Sequence, residues 1–479
     1  MSDTHTTADA YTTADAHTTA AAQDSPPDRA PFTTRLKSAL VGDPDARFVY
    51  LNNFEVERAW AEGEPRLPGA NLSFAAATVN RIEEVGVLLA DDSDFVVLKA
   101  PVDADYSAYL DTLGVASGRR LVVDRNEPDR SVTADALDSP RLRAELAALN
   151  DGATYLMPLG VSRDEELLAE AVGLPVAGPS AEVCRRVNGK IFSRELVDAA
   201  GLTPVPGYAC RTLDELSAAL DACLSGSGGG DGRVVVKESL GVSGRGMIVL
   251  EDARRAGRLL EMLARKGADR PVSVVVERWI EKKFDLNYQF VLGRDGTVHF
   301  ETVKTVLTRN GAHRGHLFPP PLRPDQLRAL ESAAEVIGKV LAGEGYFGLV
   351  GVDAILGADD TLYPCLEINA RFNMATYQNR IVERLIRPEQ TTLATVLDLK
   401  VARAHRFDEV RAALGDLMFA AASPRGVLIN NFSTLNAAVV PGRTTHGRVY
   451  ALCIGEDIEE VERMRSEAET ALVRMTEAK

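Results

Sequence analysis

Residues 234–250 read VVVKESLGVSGRGMIVL: an apolar run, a lysine, a glycine-rich turn and a second apolar run. Glycines at Gly241, Gly244 and Gly246 permit positive φ and bring backbone N–H groups close to a phosphate, so phosphate binding is the first chemistry to consider. A Walker A loop needs Lys and then Ser or Thr after its last spaced glycine, but Gly246 is followed by Met247. A dinucleotide fingerprint needs a helix after the third glycine, but Met247, Ile248, Val249 and Leu250 are apolar and β-rich. A hairpin remains, with Lys237 on its first strand. An ordinary hairpin with an exposed lysine explains this window equally well.

Other parts of the chain supply complementary chemistry. Lys190 opens a helix in NGKIF, and Glu277, Arg278, Trp279 and Ile280 end a strand. Asp353, Glu367 and Asn369 sit on two late strands, VDAIL and LEINARF. Two lysines neutralise phosphate oxygens while loop N–H groups cover them. Segment 277–280 offers backbone groups to an adenine edge and apolar side chains to its faces. Asp353, Glu367 and Asn369 are the hard oxygen donors that magnesium prefers. Glu367 and Asn369 are two apart on a strand and share a face.

The elements that must position these residues are readable from pattern. With 479 residues, 45% of them hydrophobic, the chain has material for several domains. Residues 1–30 include a Thr/Ala/Asp repeat with little to bury and read as a disordered tail. From RFVYLNN through DFVVLKAP, RRLVVD and ATYLMPLG, strands alternate with helical segments, which favours a parallel α/β layer over 31–180. Ligand contacts are expected beyond its strand ends, near Asn52, Asn53, Lys99 and Gly160. Residues 181–390 are strand-rich, with a helix over 326–343 and a flexible SGSGGGDG run before the hairpin. Residues 391–479 read as a small closing α/β unit.

Charge and cysteines narrow the ligand class. A net charge of −15 argues against a general nucleic-acid binder and against an anionic-membrane binder. Five scattered cysteines without C-x-x-C spacing suit free thiols in a reducing compartment. No apolar run approaches a membrane span, and no basic-then-apolar leader opens the sequence. The reading is a cytoplasmic protein that acts on small molecules.

The ordered set from Lys190 to Arg371 resembles the ATP-grasp superfamily over roughly residues 180–375. The resemblance implies an α/β fold: an N-terminal parallel α/β (pre-ATP-grasp) domain, a two-lobed α+β ATP-grasp domain with a lid lobe over about 203–277, and a small C-terminal α/β unit. It implies that Lys190 and Lys237 hold the α- and β-phosphates of ATP and that loop 240–246, with Ser243, Gly244 and Gly246, covers them. Glu277, Arg278, Trp279 and Ile280 map onto the adenine hinge. Asp285 takes the place of the ribose-binding acid, where the family often has Glu. Asp353, Glu367 and Asn369 map onto the ligands of Mg2+, or of Mn2+, and Arg371 onto the contact to transferred phosphate or acyl phosphate.

The implied reaction activates a carboxylate as an acyl phosphate, and an amine then displaces phosphate. The loop within 301–322 carries Lys304, Arg309, His313, Arg314 and His316, cations for ATP's γ-phosphate or a substrate carboxylate, or a solvated loop. Lys304 and Arg309 join Arg371 as the catalytic candidates. The long N-terminal domain, this loop and FNMATYQNR resemble the pheganomycin-type peptide ligases of specialised metabolism. That implies small-molecule carboxylate and amine or peptide substrates, with a homodimer left open. A biotin-carboxylase-like enzyme, a purine-pathway ligase and a non-catalytic ATP-binding module are the alternatives.

Overall fold

The structure, a computed structural model, describes residues 29–68, 76–225, 232–241, 246–265, 267, 271–309 and 312–477. The expected disordered tail lies outside the described residues apart from its last two, 29 and 30, as do Ser243, Gly244 and the side chains of Arg309 and His313.

Four short strands, β1 (Arg47–Leu51), β2 (Phe95–Leu98), β3 (Arg119–Val122) and β4 (Thr154–Pro158), form a parallel sheet in the order β3-β2-β1-β4. Both faces of the inner strand β1 are buried, Phe48 and Tyr50 in one core and Val49 and Leu51 in another, as a parallel sheet covered on both sides requires. The small lobe comprises β5 (Gly207–Cys210), β6 (Val234–Glu238), β7 (Met247–Leu250) and β8 (Val274–Arg278), in the order β5-β8-β6-β7. Alternation along β6 decides its two faces. Val234 and Val236 are buried in the lobe's own core, whereas Val235 and Lys237 face a cleft. That core also takes Leu67, which lies between β1 and β2 in sequence. Its backbone N–H donates to Glu238 at 2.6 Å, and Arg66 pairs with the same carboxylate at 3.2 Å.

The large sheet is antiparallel throughout. Its strands are β9 (Lys282–Leu292), β10 (Val298–Arg309), β11 (Ala312–Phe318), β12 (Gly348–Gly357), β13 (Leu362–Asn369), β14 (Thr391–Val401), β15 (Gly426–Asn431) and β16 (Thr445–Gly455). Their order is β13-β12-β9-β10-β11-β14-β16-β15, so the C-terminal strands continue the same sheet as the strands carrying Asp353 and Glu367. The sequence DLNYQFVL in β9 shows how the sheet distributes its chemistry. Leu286, Tyr288, Phe290 and Leu292 are fully buried, and the helix Pro324–Gly343 packs on this strand. Asp285, Asn287 and Gln289 alternate with them on the opposite face.

The junction of β10, β11 and β14 is tightly specified. Register passes from Leu307 opposite Gly315 to Thr308 opposite His313, which leaves Arg314 as the extra residue of a β-bulge. Beside it, a Cβ on Gly315 would lie 1.7 Å from the backbone oxygen of Ala394, so only glycine lets β11 close on β14. Gly315→Ala is therefore expected to cost about 3 kcal/mol or more through backbone displacement. A urea titration followed by circular dichroism checks this; an unchanged midpoint would show that the two strands separate without cost.

Candidate active site

One cleft of about 2440 Å3, open to solvent, runs between the small lobe, the large sheet and the N-terminal layer. Lys190, Lys237, Gly246, Glu277, Arg278, Trp279, Ile280, Asp285, Asp353, Glu367, Asn369 and Arg371 all line it. They come from segments nearly two hundred residues apart, so the fold brings together the set that the sequence motifs and the family resemblance had suggested.

The two lysines approach from the lobe side. Lys190 begins the helix Lys190–Ala200, whose first N–H donates to Ser239 O at 2.9 Å and so docks the helix against the end of β6. Its ammonium reaches Glu367 Oε1 at 2.7 Å and Gly241 O at 2.8 Å. Lys237 pairs with Glu277 Oε2 at 2.6 Å. Burial alone would lower its pKa, but Glu277, and beyond it Glu367 and Asp353, hold the ammonium above its usual range. Gly246 closes the loop at φ +76°, where a Cβ would meet Glu238 Oε2 at 2.5 Å.

The carboxylates lie on the sheet. Asp353 on β12 is directly opposite Glu367 on β13. Burial, and then the Glu367 charge, push Asp353 up to about 6 despite hydrogen bonds from Asn287 Nδ2 at 2.8 Å and Asn369 Nδ2 at 3.2 Å. Among the described residues no three His, Cys, Asp or Glu side chains form a metal group by themselves. The set here is two carboxylates and one amide. A carboxylate held up by its acidic neighbour, with a second carboxylate and an amide oxygen beside it, fits a hard divalent cation, which would relieve the repulsion. Arg371 stands next to them, with Nη2 donating to Asn369 Oδ1 at 3.0 Å and Nε 2.7 Å from Glu57 Oε1.

Glu57 lies on the helix Val56–Trp60 that follows β1, and it is the N-terminal layer's polar contribution to the cleft. The residues expected to serve from that layer are used otherwise. Tyr377 donates to Asn52 at 2.7 Å, and Asn53 and Gly160 bond to each other. Lys99 is buried against Asp135 at 2.7 Å, with Glu127 O and Arg130 O as further acceptors. None of the four lines the cleft.

Segment 277–280 flanks the lobe end of the cleft. Arg233 stacks over the Trp279 ring at 5.0 Å. Asp285 pairs with Lys282 and accepts from Thr308 Oγ1 at 3.2 Å. Lys304 is placed elsewhere. Its strand position opposite Asn287 puts it on the cleft face, but the segment after β13 covers it, and it does not line the cleft. Its ammonium donates to Ala375 O at 2.8 Å, Gln378 Oε1 at 3.1 Å and Asn379 Oδ1 at 3.4 Å, and burial lowers it to about 7. Arg314 and His316 do line the cleft, joined by Val396, Arg448 and Tyr450 from the C-terminal strands, which carry no motif visible in the sequence.

A parallel layer, a small antiparallel lobe and a large antiparallel sheet around one cleft define the ATP-grasp fold. Residues 83–174 match the family model described as Pre ATP-grasp domain. The [Butirosin acyl-carrier protein]–L-glutamate ligase of Niallia circulans is 29% identical over 207 residues, 43% of this chain and 48% of the relative. The chain spans about half the length of the curated relatives it matches. An ADP complex of purK, N5-carboxyaminoimidazole ribonucleotide synthetase, superposes with a TM-score of 0.51 at 12% identity, over 90% of this chain and 98% of that one. The biotin carboxylase domain of the Hydrogenobacter thermophilus 2-oxoglutarate carboxylase gives 0.51 at 17% identity, over 89% and 90%. The chain shares the fold of these ATP-grasp enzymes and is similar to them in sequence over part of its length. No helix among the described residues is long and apolar enough to cross a membrane.

Two outcomes follow from these environments. Asp353→Asn is expected to leave the protein melting no lower than the parent without added metal, because one of two like charges is gone, and to lose most of the rise in Tm that magnesium gives the parent. Calorimetric melts with and without magnesium chloride check this; an undiminished rise would place the cation elsewhere. For Lys304, a folded pKa below the unfolded one means the unfolded chain binds the extra proton between about pH 7 and about pH 10, so stability rises with pH across that window. Urea midpoints of parent and Lys304→Met at about pH 7 and about pH 9 are expected to diverge in the parent's favour at the higher pH. Parallel profiles would show that the buried ammonium is not under strain.

Proposed function

We propose that this protein is an ATP-dependent carboxylate–amine ligase that forms an amide or peptide bond through an acyl phosphate and releases ADP and phosphate. The observation that carries the reading is the convergence of Lys190, Lys237, Asp353, Glu367 and Arg371 in one cleft. In this reading the ATP phosphates replace Glu367 and Glu277 as partners of the two ammonium groups, and the loop after β6 covers them. Glu277 to Ile280 border the adenine, and Asp285 takes the ribose. Magnesium at Asp353, Glu367 and Asn369 would neutralise charge on the phosphate oxygens. Arg371, held by Glu57 and Asn369, steadies the substrate carboxylate and then the acyl phosphate.

The steps balance without a protein nucleophile. A carboxylate oxygen attacks the γ-phosphorus and the bond to ADP breaks. The amine nitrogen then attacks the acyl carbon, and phosphate departs with one oxygen of the original acid while the amine proton passes to it or to solvent. Catalysis of this kind is mostly positioning and electrostatic stabilisation, which is what the residues in the cleft are suited to provide. The name of the Niallia circulans relative, [Butirosin acyl-carrier protein]–L-glutamate ligase, supports a place in specialised metabolism and a small acid or amino acid among the substrates.

A panel of carboxylates and amines tested in pairs is expected to yield a combination that releases ADP. With that acid labelled in both oxygens by heavy oxygen, one label is expected in inorganic phosphate as the amide forms. Release of AMP and pyrophosphate, with label in AMP, would replace the acyl phosphate by an adenylate.

A further inference from the structure

The cleft extends well past the residues assigned to the nucleotide. Its floor is one face of the large sheet, and the alternation of side chains carries that face from Asp353 on β12 through Asp285 and Asn287 on β9, Val306 and Thr308 on β10, to Arg314 and His316 on β11. Beyond β11 it continues with Val396 on β14 and ends at Arg448 and Tyr450 on β16. From Asp353 to Arg314 there are three interstrand steps, roughly 14 Å before any offset along the strands, and Arg448 lies two strands farther.

At this far end one carboxylate organises two guanidinium groups. Arg314 Nη1 approaches Asp398 Oδ2 at 2.5 Å, and Arg448 Nε approaches Asp398 Oδ1 at 2.8 Å, each taking a separate oxygen. Asp398 and Arg448 are direct cross-strand partners, and the bulge at Arg314 is what turns that side chain toward them. Arg314 and Arg448 line the cleft, and Asp398, itself 39% exposed, bridges them from outside that lining. The balance of the cluster is one net positive charge, with His316 and Tyr450 beside it and Thr308 and Val306 on the nucleotide side. Tyr450 hydrogen-bonds Arg448. The Arg314 side chain is 41% exposed, so it retains surface for a ligand while one of its nitrogens is fixed.

We propose that Arg314 and Arg448, set by Asp398, form a subsite for an oxyanion, carboxylate or phosphate, carried at the remote end of an elongated substrate whose other end reacts beside Arg371. Guanidinium forks match both anions in bidentate geometry, and a fork already anchored by one hydrogen bond loses less freedom on binding. The distance sets the substrate class. A group that reaches from the phosphate-binding end to β11 spans several extended residues, so a short peptide or a similarly long acid or amine fits better than a single small amino acid. This rests on the ligase reading, deepening it by naming what the second half of the cleft recognises.

The test uses the full chain with magnesium and a nonhydrolysable ATP analogue, and calorimetry or ligand-observed NMR with two matched pairs: tetraglycine against its C-terminal amide, and aminohexyl phosphate against aminohexanol. At least one anion is expected to bind about tenfold tighter than its neutral partner, and that preference is expected to fall to about twofold or less in Arg314→Gln and Arg448→Gln. Asp398→Asn is expected to weaken the preference without abolishing it, as a positioning residue. Which pair shows the preference decides between carboxylate and phosphate. Equal binding of anion and neutral partner, no binding of any probe, or a preference that survives both substitutions overturns the subsite. Affinity for the ATP analogue, expected to be unchanged in the variants, guards against misfolding. Failure of the ligase reading would instead show as an absence of ADP release with every substrate pair, whatever these binding results are.

Discussion

Two half-buried carboxylates facing each other across adjacent strands are the constraint around which this molecule is arranged. Burial and the facing Glu367 charge disfavour the ionised form of Asp353 unless positive charge lies close by. The fold answers from three directions: Lys190 from a helix start, Lys237 from the small lobe, and Arg371 from the turn after β13. Lys190 pairs with Glu367 itself, whereas Lys237 and Arg371 are steadied by further acids on other elements, Glu277 and Glu57. The result is a cleft whose walls are tied by alternating charges, and the tie spans all the layers of the protein.

Such an arrangement has a thermodynamic logic. Ion pairs taken out of water contribute little net stability, because desolvation offsets most of the attraction. Their retention here is better understood as a charge pattern that a polyanion with its metal can enter by exchange of partners, with little reorganisation of the scaffold. The apolar faces behind the cleft supply the stability. The helices Pro324–Gly343 and Ile458–Glu477 cover the back of the large sheet, and the small lobe encloses its own core.

Much of this was legible in the sequence because it rests on local periodicity. The hairpin around Lys237, the parallel N-terminal layer, and the two-residue spacing that puts Glu367 and Asn369 on one face needed only the strand repeat. Lys304 shows the limit: its register places it on the cleft face opposite Asn287, but a segment seventy residues later covers it. Glu57, Asp398 and Arg448 were beyond sequence reading for a related reason. Their importance arises from pairings across strands or layers distant in the chain, and no local spacing announces them.

Leu67 gives the small lobe an unusual mechanical status. The lobe's interior is completed by a residue placed before β2, with the neighbouring backbone and Arg66 fastened to Glu238 at the foot of the glycine loop. The lobe is thus held at both its sequence ends and also by a strap from the opposite side of the cleft. Rotation about the hinge alone would pull Leu67 from its socket, so any swing of the lobe is bounded by the reach of the few residues joining the strap to the helix Val56–Trp60, roughly 20 Å when fully drawn out. The N-terminal layer in that sense supplies part of the small lobe, and the lobe excised at its sequence boundaries would be missing a piece of its own interior.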